Sequence, residues 1–359
     1  MKKILFIATH RLNRSPGQRF RFEQYFHFLH QNGYECHLSY LLHEKEDRIF
    51  YSKGNHYKKV MIIAKCFLRR MKDISKAKKY DIIFIQREAF MTGSVYFEKQ
   101  FDKLGKKIIF DFDDAIWLPN VSEWNKEFEW IKNSNKTKKI IELSDFVIAG
   151  NNYLANYARQ FNQNVIVIPT TIDTDYHKKF QSSKNDDKIC IGWTGSHTTI
   201  KHFERSLSVL KKLKEKFGNK IYFKVIGDVN YENKKLEIRV NTWNLQNEIK
   251  ELSEIDIGIM PLPDDEWAKG KCGLKGLQYM ALEIPPVMSP VGVNTEIVQD
   301  GVNGFLADSD EEWIEKISML IESKDLRNKI GKEGRKTVIE KYSVNSQKEK
   351  YLKCFKELC

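Results

Sequence analysis

The sequence predicts an α/β protein made of two parallel-sheet units. Short runs of β-branched and aromatic residues alternate with helical-period segments along the chain, and the alternation lapses once, at Ile172–Lys188, before restarting. The length, 359 residues, is too great for one ordinary core and suits two, each large enough to bury its own sheet.

In the first half the strands are expected at Lys3–Thr9, Glu35–Tyr40, Asp81–Gln86, Lys107–Asp111, Phe146–Ala149 and Val165–Ile168. Helical periodicity fills the intervals, at Phe20–Gln31, Ser94–Leu104, Trp124–Glu142 and Asn151–Phe161. Strand–helix alternation implies parallel pairing with right-handed crossovers, in a sheet covered on both faces. The stretch Ile172–Lys188 loses apolar periodicity and gains Asp, Ser and Lys, so it reads as a linker. Beyond it come strand Ile189–Trp193, helix Thr199–Phe217, strand Tyr222–Ile226, helix Leu245–Leu252, strand Asp256–Met260, helix Leu274–Ala281 and strand Pro286–Met288. The predicted organisation is a first domain over 1–171, a linker over 172–188 and a second domain over 189–344. The amphipathic segment Asn345–Leu358 is expected to return to the first domain, and a cleft between the two domains is the expected ligand site.

Apolar content of 41% and charged content of 30% describe a globular protein rather than a disordered or membrane-spanning one. The longest apolar runs, such as Ile4–Ala8, are strand-sized, and the start lacks both a signal-peptide apolar region and a cleavage site. A cytoplasmic protein is expected. Six cysteines without a C-x-x-C pair argue against a zinc site or a disulfide framework. The net charge of +12 is lopsided: residues 1–170 hold 29 Lys and Arg against 18 Asp and Glu, a surplus of 11. One basic half points to an anionic surface, polymer or lipid met by that half alone, with surplus solvated lysine as the bland alternative. Nucleic acid is not expected, since no array of stacking aromatics accompanies the cations.

Three loops carry possible phosphate chemistry. The first, Thr9–Gln18, follows strand one and holds Gly17, which permits a close backbone approach, with Arg19 and Arg21 just after. It lacks the G-x-G-x-x-G of nicotinamide or flavin binding, and by itself is better read as a surface turn. The second, Gly192–His197, places Gly195 and Ser196 at a helix start with Lys201 one turn on. The third lies in Asp256–Ala307, where Gly270 and Gly273 are expected to bend the chain so that the Cys272, Gly273 and Leu274 amides face one point. Lys271 and Lys275 bring two cations there, an arrangement that suits a diphosphate.

That third stretch resembles the donor-binding signature of family-4 retaining glycosyltransferases of the GT-B fold, through Met280-Ala281, Pro285-Pro286-Val287, Gly292, Glu296 and Asp300–Phe305. Val225–Asp228, Ser144–Val147 and Lys341-Tyr342-Ser343 agree in order. The resemblance implies two Rossmann-like domains facing across a cleft and a nucleoside-diphosphate sugar as substrate, with no metal or other cofactor. It implies that Gly195, Ser196 and Lys201 contact the diphosphate, and that Cys272, Gly273 and Leu274 offer amides to phosphate and sugar. Gln278 stands where the family has the glutamate that holds the ribose, and Gly270 where it has the other glutamate, which leaves Asp264, Asp265 or Glu266 as substitutes. The implied acceptor is a saccharide or lipid-linked hydroxyl, in surface polysaccharide synthesis.

The carboxylates Asp111, Asp113 and Asp114 end a predicted strand, with Asp113 at the position of a family histidine. Asp113 and Asp114 are candidates for acceptor positioning or base assistance; metal binding and a simple capping turn are the alternatives. Lys58–Lys79 is a basic amphipathic segment, expected as a core-facing helix with a solvated cationic face, and also suited to anionic lipid through Arg69 and Arg70 beside Phe67 and Leu68. Two other functions stay open: a nucleotide-sugar 2-epimerase of the same fold, and a non-catalytic sugar-nucleotide-binding protein.

Overall fold

A computed structural model of the protein describes residues 1–118, 133, 135–180, 188–227 and 231–358. Most of the expected helix Trp124–Glu142, the linker residues 181–187, Asp228 and Cys359 lie outside the described residues. The chain divides into two compact units, Met1–Thr170 with Gln347–Cys359, and Thr171–Ser346.

The first unit runs β1 (Lys2–His10), α1 (Pro16–Arg19), α2 (Phe26–Gln31), β2 (Tyr34–Leu42), α3 (Glu44–Phe50), α4 (His56–Lys76), β3 (Ile82–Gln86) and α5 (Tyr96–Lys103). It continues with β4 (Lys107–Phe112), α6 (Asn135–Leu143), β5 (Phe146–Ala149), α7 (Asn152–Ala158) and β6 (Val165–Val167). The strands pair in parallel in the order β2-β1-β3-β4-β5-β6, with Ile4 opposite Ile82 and Phe84 opposite Ile109. The order changes direction at β1, so β1 and β3 diverge at the topological switch point where such sheets bind ligands.

The expected helix Phe20–Gln31 is broken. Gln18 through Glu23 are six consecutive buried residues, and a surface helix can bury only one face. The chain instead makes a single 3₁₀ turn at Glu23–Tyr25 before α2.

The second unit contains β7 (Ile189–Gly195), α8 (Ile200–Glu204), α9 (Leu207–Phe217), β8 (Ile221–Gly227), β9 (Arg239–Thr242), α10 (Glu248–Ser253) and β10 (Ile257–Met260). After these come α11 (Glu266–Lys269), α12 (Leu274–Ala281), β11 (Pro286–Met288), α13 (Asn294–Ile297), β12 (Phe305–Leu306), α14 (Asp310–Glu322) and α15 (Lys324–Thr337). Its parallel sheet has the order β12-β11-β10-β7-β8-β9, again with a switch point, here between β7 and β10. Helix Thr199–Phe217 is interrupted between α8 and α9, where the Ser206 hydroxyl bonds back to the Phe203 carbonyl at 2.6 Å. The edge strand β9 has a polar sequence, RVNT, and so gave no strand signal.

The stretch read as a linker begins inside the second unit. Ile172 bridges to Ser343, and the Arg335 guanidinium bonds the carbonyls of Thr174 and His177. The last helix, α16 (Val344–Lys356), belongs to the first unit from Gln347 on. Its Tyr351 stacks on Tyr25 with ring centroids 4.2 Å apart, and Phe355 lies parallel to Phe84 of β3. Tyr351, Leu352, Cys354 and Phe355 are all buried, so this segment completes the first core. Among the described residues no helix is long and apolar enough to cross a membrane.

Phe355→Ala removes a fully buried ring that α16 contributes to the sheet. It is expected to cost about 3–5 kcal/mol, read as a lowered midpoint in chemical denaturation followed by the first unit's fluorescence.

Candidate functional site

In the second unit, the end of β7 and helix α12 are joined by one side chain. Tyr279, buried on α12, receives the Thr194 N–H on its hydroxyl at 3.0 Å, next to Gly195. Ser196 continues the turn, its N–H bonding Thr199 Oγ1 at 3.1 Å and its hydroxyl lying 2.9 Å from that of Thr198. Gly273 caps α12 in the left-handed conformation (φ 68°), and a Cβ there would stand 2.3 Å from Ile297 Cδ1. With no cap from a side chain of its own, Gly273 presents the first-turn amides of Leu274, Lys275 and Gly276, following Cys272.

The three predicted lysines share one environment. Lys275 Nζ lies over the Trp193 ring at 5.3 Å and Lys271 Nζ over Trp267 at 4.7 Å. Both, together with Lys201, act on His202, whose value is lowered to about 4, first by burial and then by Lys275, Lys271 and Lys201, against a pull from Asp265. His202, which was not singled out from the sequence, therefore reports the positive charge of these three lysines.

Gln278 lies deeper on α12 and is buried, with its Nε2 3.5 Å from Glu248 Oε1. Glu248 is itself buried, accepts the Trp243 indole N–H at 2.9 Å, and lies 3.5 Å from the Tyr176 hydroxyl. None of these three partners was singled out from the sequence, because they come from separate stretches that only the fold assembles. The substitutes expected for the missing glutamate are engaged locally: Asp265 caps α11 at the Ala268 N–H, and Asp264 and Glu266 pair with Lys269.

In the first unit the expected carboxylate cluster divides. Asp111 is fully buried and paired with Arg21, whose guanidinium reaches it at 2.5 Å and also bonds the Ile168 carbonyl. Burial pushes the Asp111 carboxyl up while Arg21 holds it down. Arg21, expected to offer charge to a ligand, is thus a structural partner, and Arg19 is buried as well. Asp113 instead accepts from Arg87 Nε at 2.7 Å, and Asp114 lies 3.8 Å from the same guanidinium while its Oδ1 takes the Ala115 N–H.

Arg87 follows β3 with a positive φ of 60°, a conformation an arginine adopts at a steric cost. Gly17 closes this cluster: a Cβ on it would stand 3.0 Å from Asp113 Oδ2 and 3.2 Å from an Arg87 nitrogen. The loop behind it is fixed by Gln18, which binds both backbone groups of His10, and by Glu23, which takes the Asn13 N–H. Asp47, also buried, binds Arg11 at 2.9 Å and Arg14 at 2.7 Å. His10 beside it is lowered to about 4 by burial, against the pull of Asp47. Arg87 was legible in principle, since it stands at a strand's C-terminal end as Asp113 does. Asp47 carried no signal. Among the described residues no three His, Cys, Asp or Glu side chains gather as a metal-ligand set.

Two comparisons bear on this arrangement. Residues 175–337 match the family model described as glycosyl transferases group 1. That span holds every second-unit site residue described above. The whole chain is similar in structure to a glycosyltransferase from Rickettsia africae (18% identity, 99% of this chain and 98% of that one, TM-score 0.70). It is similar also to a sucrose-phosphate synthase from Thermosynechococcus elongatus (13% identity, 100% and 99%, TM-score 0.70). A third likeness is to HepE of Anabaena in complex with UDP-glucose (13% identity, 99% and 100%, TM-score 0.66). No curated relative matches the chain in sequence. The likenesses establish the fold, which is GT-B.

The neutral state of His202 makes a pH prediction. Its folded value lies near 4 and its ordinary value near 6.5, so the unfolded chain takes up the proton first. Stability is expected to fall as pH drops from 6.5 towards 4, by up to about 3 kcal/mol from this group. Denaturation midpoints between pH 7 and 4.5 measure the slope, and His202→Gln should flatten it.

Proposed function

We propose that the protein is a retaining glycosyltransferase, independent of metal, that moves a sugar from a nucleoside-diphosphate donor to a hydroxyl of a saccharide or lipid-linked acceptor. The observation that carries this reading is the α12 N-terminus, capped by Gly273 in the left-handed conformation and flanked by Lys271 and Lys275, inside the span that matches the group 1 family. Lys201 acts on the same His202 as these two lysines. Three cations and the positive end of a helix suit a diphosphate, and they suit it better as charge builds on the leaving group. In this reading Lys201, Lys275 and the amides of Cys272, Gly273 and Leu274 stabilise the departing diphosphate, with Gly195 and Ser196 giving it room. Gln278 bonds the ribose. The bond from the anomeric carbon to the diphosphate oxygen breaks, and the acceptor oxygen takes its place on the same face.

Asp113 and Asp114 are assigned to the acceptor hydroxyl, which they orient or relieve of its proton. Arg87 Nε, 2.7 Å from Asp113 Oδ1, holds that carboxyl group in place for either task. HepE was solved with UDP and UDP-glucose, which makes uridine the first base to try. The substrate supplies all the chemistry in this scheme, with no further cofactor, and synthesis of a bacterial surface polysaccharide is the proposed setting.

A thermal-shift panel of UDP-, GDP- and ADP-sugars tests the donor assignment: one of the three should raise the melting temperature, and none doing so overturns the reading. Lys275→Met is expected to weaken that donor roughly tenfold or more. Asp113→Asn should keep the donor-induced shift yet slow transfer by about a hundredfold or more. Conversion of donor to an epimer without acceptor would instead favour an epimerase.

A further inference from the structure

Helix α4 buries two cations and exposes apolar side chains. Its buried face carries Lys59 and Arg70, both completely buried, together with Ile62 and Cys66. Arg70 bonds the carbonyls of Ala8 and Ala89, the Ser39 hydroxyl and Asp73, so the cation is fully employed inside the unit. Its neighbour Arg69 is turned to Glu46 and the Leu41 carbonyl. The two arginines expected to meet a lipid surface are therefore internal ties, and the solvated cations of the helix are its lysines, Lys58, Lys65 and Lys72.

What faces outward is apolar. Tyr57, Val60, Met61, Leu68 and Met71 are exposed by 77, 55, 44, 61 and 37%, and their spacing of three and four residues sets them in one stripe, with Ala64 between. Six of the fifteen exposed large apolar side chains among the described residues lie on this helix. Single exposed apolar residues need no explanation, but a contiguous stripe does. Along one flank runs a row of exposed lysines at seven-residue spacing, Lys58, Lys65 and Lys72. The helix's one acidic residue, Asp73, is held by Arg70 and Ser39, so α4 places no carboxylate on its outer face.

We propose that this outer face of α4 docks on an anionic lipid bilayer, with the helix axis in the membrane plane. The apolar stripe enters the headgroup–acyl boundary, and the lysine stems extend along it to bring their ammonium groups to lipid phosphates. A bilayer offers an apolar layer and an anionic layer side by side, and α4 presents their complements side by side on one helix. The surplus positive charge of residues 1–170 acts in the same sense over a longer range. This inference goes beyond the transfer reaction and stands or falls without it.

The test is flotation of the full-length protein with phosphatidylcholine vesicles, with and without roughly one-third phosphatidylglycerol. Binding is expected only to the anionic vesicles and should weaken as salt is raised. Lys58, Lys65 and Lys72 changed together to Gln should lower partitioning by about fivefold for each charge removed. Met61→Ser with Leu68→Ser should lower it without touching charge; both positions are exposed, and unchanged melting curves verify that the variants fold. Failure of the wild type to float with anionic vesicles overturns the proposal. So does undiminished binding by the serine variant, which would leave only non-specific charge attraction. A dimer seen by light scattering and dissolved by the serine substitutions would make a second copy the occupant and equally refute a lipid one. Donor-induced thermal shifts are measured on the same samples, so loss of lipid binding is distinguished from loss of donor binding.

Discussion

The first unit depends on one buried ion pair, Arg21 with Asp111. The Arg21 fork binds the Asp111 carboxylate, and its remaining arm bonds the Ile168 carbonyl just past β6. Three parts of the chain far apart in sequence thus meet at one guanidinium: the segment after the first loop, the end of β4 and the exit from β6. Tyr351 of α16, stacked on Tyr25, senses both charges of the pair. Taking such ions out of water is costly, and their attraction offsets that only when the surrounding hydrogen bonds are satisfied. The return is position. The pair sets where β4 ends, and two residues on, Asp113 meets Arg87; on the other side it sets the first loop, and four residues back, Gly17 rests against Asp113.

Much of the layout was legible in the sequence because strand and helix periods differ and each strand is short and apolar. Phe146–Ala149, Leu274–Ala281 and Pro286–Met288 form where the pattern puts them. The failures have physical causes of two kinds. Where six consecutive residues are all drawn inward, as at Gln18–Glu23, no single period describes them and the helix breaks. Where an edge strand such as β9 is polar, pairing with β8 decides its conformation and composition says little.

Helix α4 shows a third kind of limit. Its pattern announces an apolar face and a polar face, yet nothing in the period says which one turns to the sheet. Burial normally goes to the apolar side. Here the carbonyls of Ala8 and Ser39 in β1 and β2, together with Ala89 and Asp73, provide a ready-made set of acceptors for Arg70, and that set draws Arg70 inward while Lys58, Lys65 and Lys72 stay exposed. The same arginines that looked suited to an external anion are consumed by internal ones. Arg21 was misjudged for the same reason: a cation's partner lies elsewhere in the chain and is invisible until the fold is known.

The second unit applies that reasoning to Gln278. Measured against the glycosyltransferase signature, an amide in place of a glutamate looks like a weakened ribose contact. In the structure its neighbour is Glu248, buried, with Gln278 Nε2 3.5 Å from Glu248 Oε1. A glutamate at 278 would set two carboxylates face to face in a buried site, where like charges at that range force one of them to hold a proton. The amide removes that conflict and can donate toward Glu248 while keeping its oxygen for another group. Trp243 donates to the same Glu248 oxygen, and the Tyr176 hydroxyl meets the other, so Glu248 is held at both oxygens. The departure at 278 is therefore coupled to a carboxylate supplied from α10. The carboxyl group that the signature places on α12 is still present beside it, carried by a different helix.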